Sequence, residues 1–119
     1  MNVLVVSSQP RFLQEGLRIL TQNDLVTHIQ GTVEEALSVS QTLTTSLVIL
    51  DADLASGDLA GTCQTLYDAS RAPVIVVSWE ELYPEDAAAC FDAGAGARLL
   101  IGVSHTLLLT WAQALTRRH

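Results

Sequence analysis

Leu47-Val48-Ile49-Leu50-Asp51-Ala52-Asp53 is the stretch on which the fold turns. Four consecutive large aliphatic residues leave no polar face, as in a strand whose sheet is covered by helices on both sides. The apolar run stops abruptly at Asp51, which places this aspartate at the carboxyl end of a central strand. Downstream, a loop through Ser56, Gly57 and Asp58 leads to a helix that turns Leu59, Cys63 and Leu66 to one side. Pro73-Val74-Ile75-Val76-Val77 then repeats the buried-strand pattern and ends at Ser78. Pro84, Glu85 and Asp86 mark the first turn of a further helix that stops at Gly94. Ala97 to Ile101 reads as a fifth strand, and Ser104 caps a last helix on which Leu108, Trp111, Ala112 and Leu115 align.

Upstream of the deciding stretch, Thr32-Val33-Glu34-Glu35 has the spacing of a capping box, opening a helix with Val33, Ala36 and Leu37 inward. Leu25 to Gln30 precedes it as a second strand. The chain begins with Val3 to Val6, a β-branched-rich strand, followed by a helix with Phe12, Leu13, Gly16, Leu17 and Leu20 on its apolar stripe. Strands and helices thus alternate, five of each, which predicts an α/β domain over residues 1–119 with a doubly wound, five-stranded parallel sheet. In such sheets ligands and chemistry collect beyond the carboxyl ends of the strands, near the switch in strand order. The positions to inspect are therefore Ser7 to Pro10, His28 to Gly31, Asp51 to Asp58, Ser78 to Glu81 and Ile101 to Ser104.

Composition narrows the function classes. At 119 residues the chain holds one core, and with 49% hydrophobic and 16% charged residues it is not a disordered segment. No apolar stretch reaches the ~18 residues needed to cross a membrane. The amino terminus shows no secretory leader and Cys63 and Cys90 form no CxxC pair, so a cytoplasmic location is expected. Acidic residues outnumber basic ones by 13 to 6, a net charge of −7, which argues against direct nucleic-acid binding by this segment. All six basic residues are arginine; the chain has no lysine.

The order and spacing resemble the receiver domain of bacterial two-component response regulators, a flavodoxin-like fold that accepts a phosphoryl group on an aspartate at the end of its third strand. Leu47 to Asp58 is similar to that strand and its loop, with Asp51 at the phosphoacceptor position. Ser78 stands where the family has its switch hydroxyl, Arg98 where it has an aromatic switch residue, and Phe91-Asp92-Ala93-Gly94-Ala95 resembles the turn before its fifth strand. Pro10 to Arg18 is similar to the first helix of the NarL/FixJ-type branch, whose members usually carry a helix-turn-helix output domain. The resemblance implies protein partners, a sensor kinase or an output domain, and a homodimer face made by the helix after Pro84, the strand 97–101 and the helix after Ser104.

The departures fall on the chemistry. The family holds magnesium with an acidic pair just after strand one, and Ser7 and Ser8 occupy those positions. Magnesium asks for octahedral oxygen ligands with carboxylate charge among them, so its binding is expected to be weak or absent and no cofactor is expected. The family's lysine at the end of strand five falls on Ile101, and the following proline on Gly102. Phosphoryl transfer depends on positioning and on cationic stabilisation of charge, and here both metal carboxylates and the lysine are replaced. Trp79, after the switch hydroxyl, can cover the pocket or contact a partner.

Several readings stay open on the residues alone. Asp51 is either a phosphoacceptor or a polar residue that closes a strand and caps the next loop. Ser7 and Ser8 fit turn and capping roles better than nucleophilic ones, since no histidine is placed beside them by sequence. Arg98 is a partner contact or an exposed strand-end charge, and Trp111 a core or dimer contact. His28, His105 and His119 show no ligand spacing. The leading expectation is a non-enzymatic pseudo-receiver, a regulatory module working through protein contacts. A conventional phosphoaccepting receiver, in front of a transcription-regulator output domain, is the alternative. A haloacid-dehalogenase-like phosphatase using Asp51 and Asp53, and a small-molecule site in the emptied acid pocket, are the remaining ones.

Overall fold

A computed structural model describes residues 1–8, 10–55, 58–78, 85, 88, 95–100 and 105–117, with residues 10–13 and 95–100 described as backbone only. The elements run β1 (Asn2–Val6), α1 (Pro10–Gln22), β2 (Val26–Gln30), α2 (Val33–Ser40), β3 (Leu47–Asp51), a 3-10 turn (Ala52–Ala55), α3 (Leu59–Ser70), β4 (Val74–Ser78), β5 (Ala95–Leu100) and α4 (His105–Thr116). The strands form one sheet in the order β2-β1-β3-β4-β5, each pair parallel. From β1 the chain steps outward to β2 and then returns to the other side at β3. The switch in strand order therefore lies at β1 and β3, and the crevice it opens is at the carboxyl ends of those two strands.

The uniformly apolar strands are the interior ones, for the reason their sequence suggests. Val3, Val5, Leu47, Ile49, Ile75 and Val77 point to one side, where Leu20 of α1 and Leu108 and Ala112 of α4 meet them. Their neighbours Leu4, Val6, Val48, Leu50, Val74 and Val76 point to the other, onto Ala36 of α2 and Cys63 and Leu66 of α3. Each of β1, β3 and β4 feeds two cores with a period of two, so no position along their apolar runs can be polar without being buried. Edge strand β2 has a helix-covered side only in part, and Val26 and Ile29 are exposed.

Local signals fix the helix ends. The Thr32 hydroxyl accepts from the Glu35 N–H at 3.2 Å and starts α2. The Asp58 carboxylate accepts from the Gly61 N–H at 3.0 Å and starts α3, which ends at Arg71 in the left-handed region, φ 57°. Gly61 has a packing reason here: an added Cβ would lie 2.7 Å from the Asp58 Cγ. Gly61→Ala should therefore displace the cap, costing about 1 kcal/mol against a helix gain of about 0.5–1 kcal/mol, for a net change near zero or mildly unfavourable. In an Asp58→Ala background only the gain remains, so the same substitution should stabilise. Urea denaturation of the four proteins checks this reversal of sign.

Three expectations shift. The fifth strand starts earlier than Ala97, at Ala95, after an irregularity in its pairing with β4 between Val74 and Ile75, and ends at Leu100. Arg98 pairs with Val76 in the body of that strand, so it is not a strand-end residue. Trp111 is 39% exposed, because the sheet side of α4 is filled by Leu108 and Ala112 and the stripe extends past what the core can cover. The helix expected over 84–94 lies largely outside the described residues, of which Glu85 and Ala88 are helical.

Candidate functional site

Three buried polar residues lie at the carboxyl ends of neighbouring strands, beside the crevice. Ser7 follows β1 directly, and its N–H continues the ladder by donating to the Gln30 carbonyl at 3.1 Å. Asp51 ends β3 and Ser78 ends β4, one step beyond the Asp51–Val77 pair. All three are buried: Ser7 is 1%, Asp51 0% and Ser78 5% exposed.

The Asp51 carboxylate is held through both oxygens. The Ser7 hydroxyl donates to Oδ2 at 3.0 Å, and the Asp53 backbone N–H donates to Oδ1 at 3.0 Å. The second bond is an aspartate side chain closing onto the backbone two residues ahead, and it turns β3 into the 3-10 segment. Burial pushes the Asp51 carboxyl above its ordinary value, with the nearby Asp53 charge adding to the rise; the Asp53 N–H and the Ser7 hydroxyl pull the other way. Two donors offset part of the desolvation, not all of it.

The sign of the pH effect follows. A carboxyl raised in the folded state binds its proton more tightly than in the unfolded chain, so its contribution is most favourable below the unfolded value and is lost as pH rises through the folded one. Asp51→Asn keeps an acceptor for the Asp53 N–H and removes the buried charge. It should stabilise the domain at neutral pH by an amount on the order of 1 kcal/mol, with little difference from the parent in acid. Thermal melts across a pH series check this; a variant less stable at neutral pH would mean that the charge itself is an organising contact.

The remaining sequence candidates separate from this cluster. Ser8 is exposed, two residues before α1 begins at Pro10, and the Ser7 hydroxyl donates to Asp51. Asp58 caps α3. Trp79, Ile101 and Gly102 lie outside the described residues, as does the Arg98 side chain. His28 bonds to Asn2, with Nε2 to Oδ1 at 3.2 Å, and His105 sits 4.0 Å from Glu15. Beside the site a cavity of about 390 Å³ is lined by Gly31, Thr32, Val33, Glu34, Asp53 and Leu54; neither Asp51 nor Ser7 lines it. Sequence reasoning missed the Ser7–Asp51 bond, although both residues end strands that a doubly wound order sets side by side.

Among the described residues, few could hold a metal. Among the described residues no three His, Cys, Asp or Glu side chains cluster as a metal site would need. Around Asp51 they supply one buried carboxylate and a neutral hydroxyl, with Asp53 exposed. That set does not fit magnesium, which leans on carboxylate charge in addition to water. Among the described residues no helix is long and apolar enough to cross a membrane.

No family model matches the chain, and no curated protein matches its sequence. Solved structures do match in fold. A CheY-like response regulator receiver domain protein from Methanospirillum hungatei superposes with a TM-score of 0.86 at 19% identity, covering 98% of this chain and 94% of that one. A two-component response regulator from Clostridium difficile gives 0.88 at 16%, covering 99% and 97%. The receiver domain of a sensor histidine kinase from Pseudomonas aeruginosa, with magnesium coordinated in its active-site cleft, gives 0.80 at 16%, covering 98% and 97%. The fold is thus the flavodoxin-like fold of receiver domains, with its parallel sheet covered by helices on both faces.

Proposed function

We propose that residues 1–119 form a receiver-like regulatory domain, with five helices in all, that signals through protein contacts without magnesium-dependent phosphorylation of Asp51. The observation that carries this reading is the Asp51 carboxylate itself, wholly buried, with one oxygen on the Ser7 hydroxyl and the other on the Asp53 N–H. A phosphoacceptor needs an oxygen open to the donor and cations to take up the charge that develops. Here the oxygens serve the fold, the Asp51 charge is disfavoured by burial, and Ser7 and Ile101 stand where the resemblance implies a metal carboxylate and a lysine. The domain is then a signalling module and not an enzyme, degenerate in its pocket and nearest the NarL/FixJ-type branch. Its partners are proteins, a sensor kinase or an output domain in a cytoplasmic pathway, with Ser78, Arg98 and Trp79 as contact or switch positions. With a charge of −7 the segment itself would not contact nucleic acid.

A titration with magnesium and beryllofluoride, followed by NMR or tryptophan fluorescence, tests the proposal. No saturable change is expected; saturable binding abolished by Asp51→Asn would overturn it. A phosphoaccepting receiver is the second reading, favoured by the adjacency of Asp51 and Ser78 at the ends of β3 and β4. Incubation with a cognate kinase and intact-mass measurement decides for it if one phosphate is gained.

A further inference from the structure

We propose that the cavity between the β2–α2 loop and the turn after β3 binds a small organic cation, an alkyl-guanidinium or alkyl-ammonium compound held between Glu34 and Asp53. This goes beyond the reading of Asp51, which does not line the cavity. Two segments make the walls: Gly31, Thr32, Val33 and Glu34 where β2 gives way to α2, and Asp53 and Leu54 in the 3-10 turn. Strands β2 and β3 flank β1 in the sheet, so the cavity opens over the carboxyl end of β1, at the switch in strand order where sheets of this kind take their ligands. Its volume of about 390 Å³ is that of a small-molecule site and far exceeds the ~30 Å³ share of one water.

The lining decides the class of ligand. Glu34 and Asp53 come from the two different walls, and among the described residues neither carboxylate has a hydrogen-bond or ion-pair partner. The lining holds no Arg or His to offset them. The start of α2 favours an anion, but the end of a helix macrodipole is worth about +0.5 charge, too little to outweigh two carboxylates. The Thr32 hydroxyl is already taken by the Glu35 N–H. A metal ion fits no better, since among the described residues no third ligand joins the pair. Val33 and Leu54, half-buried and packed on the α2–α3 core, are apolar walls that a hydrated ion cannot use. An alkyl cation uses both features: its stem lies along these side chains and its head meets the carboxylates, in a two-point contact where the head is a guanidinium. The cavity is also linked to the buried carboxylate. Asp53 donates its backbone N–H to Asp51 Oδ1 at 3.0 Å, and its charge disfavours ionisation of Asp51. A cation on Asp53 cancels that influence, so its binding and the ionisation of Asp51 favour each other.

Agmatine, a butyl chain with a guanidinium at one end and an ammonium at the other, is the probe. Titrated into the whole chain at low salt and followed by backbone amide NMR, it should give saturable shifts centred on residues 31–34 and 53–54. Both carboxylates are exposed, so the dissociation constant is expected on the order of 1 mM and should rise as salt screens the contact. Glu34→Gln and Asp53→Asn should each weaken binding about fivefold and together abolish it, with the remaining amide spectrum unchanged. Neutral n-butanol should leave these amides unmoved. With agmatine bound, the Asp51 carboxyl carbon should titrate at lower pH than without it. No saturable shift, or a response that survives in the double variant, overturns the proposal. So does magnesium chloride or inorganic phosphate moving the same amides where agmatine does not. An Asp51 titration indifferent to bound agmatine overturns the coupling. The beryllofluoride titration is read at Asp51 and depends on neither cavity carboxylate, so the two proposals fail separately.

Discussion

Replacing Ser7 and Ser8 together with aspartate is expected to turn a domain unresponsive to magnesium into one that magnesium stabilises. The Ser7 hydroxyl lies 3.0 Å from Asp51 Oδ2, so a carboxylate in its place sets two like charges against each other in a buried site. Without metal the pair destabilises the fold and raises one of the two carboxyls further. A divalent cation between them reverses the sign, because it neutralises the repulsion and takes both oxygens as ligands, with the exposed residue 8 adding a third carboxylate from the loop. At a hundredfold excess over its dissociation constant, a ligand that binds only the folded state adds about 2.7 kcal/mol. For a domain of this size that is a rise of roughly 10 °C in melting temperature. Thermal unfolding with and without magnesium reads it directly, beside the parent protein and an Asp51→Asn version of the double variant, which should lose the response. A parent protein stabilised by magnesium would contradict the proposed function, and an unresponsive double variant would mean that more than the two serines separates this pocket from a metal site.

Truncating Leu50 to alanine is expected to cost 2–5 kcal/mol, a large fraction of the 5–15 kcal/mol that holds a domain together. Leu50 is fully buried on the α2–α3 side of the sheet, between its strand partners Val6 and Val76. Its removal leaves a cavity that cannot collapse without moving β1 or β4, and both strands end at pocket residues. The midpoint of thermal unfolding should fall by about 10 °C or more. Val26→Ala on the edge strand, where the side chain is 53% exposed, should stay within about 0.5 kcal/mol of the parent. Equal costs at the two positions would mean that the strand order is not the one described.

The contrast between those two substitutions separates what was legible from what was not. Leu47 to Leu50 and Val74 to Val77 read as doubly covered strands because four apolar residues in a row allow no solvent face, and both are buried throughout. Thr32 and the loop ending at Asp58 were legible as helix starts, since a cap is a contact over three residues and needs no tertiary partner. That residues 7 and 8 are serines, and that the chain has no lysine, also stood in the sequence. Whether Trp111 was core or surface was not legible, because helical periodicity says which residues share a face and not how far the core reaches around it.

By itself, then, the sequence determined the alternation of strands and helices, the place of Asp51 at a strand end, and the absence of any lysine to stand near it. These depend on residue type and on short spacings. Only the tertiary structure decided that Ser7 donates to Asp51, that the opposite carboxylate oxygen is taken by the Asp53 N–H, and that Leu107 and Trp111 are left outside the core. The Ser7–Asp51 contact joins residues 44 apart in the chain, and nothing local encodes it; it exists because β1 and β3 are neighbours in the sheet and their register sets both ends level.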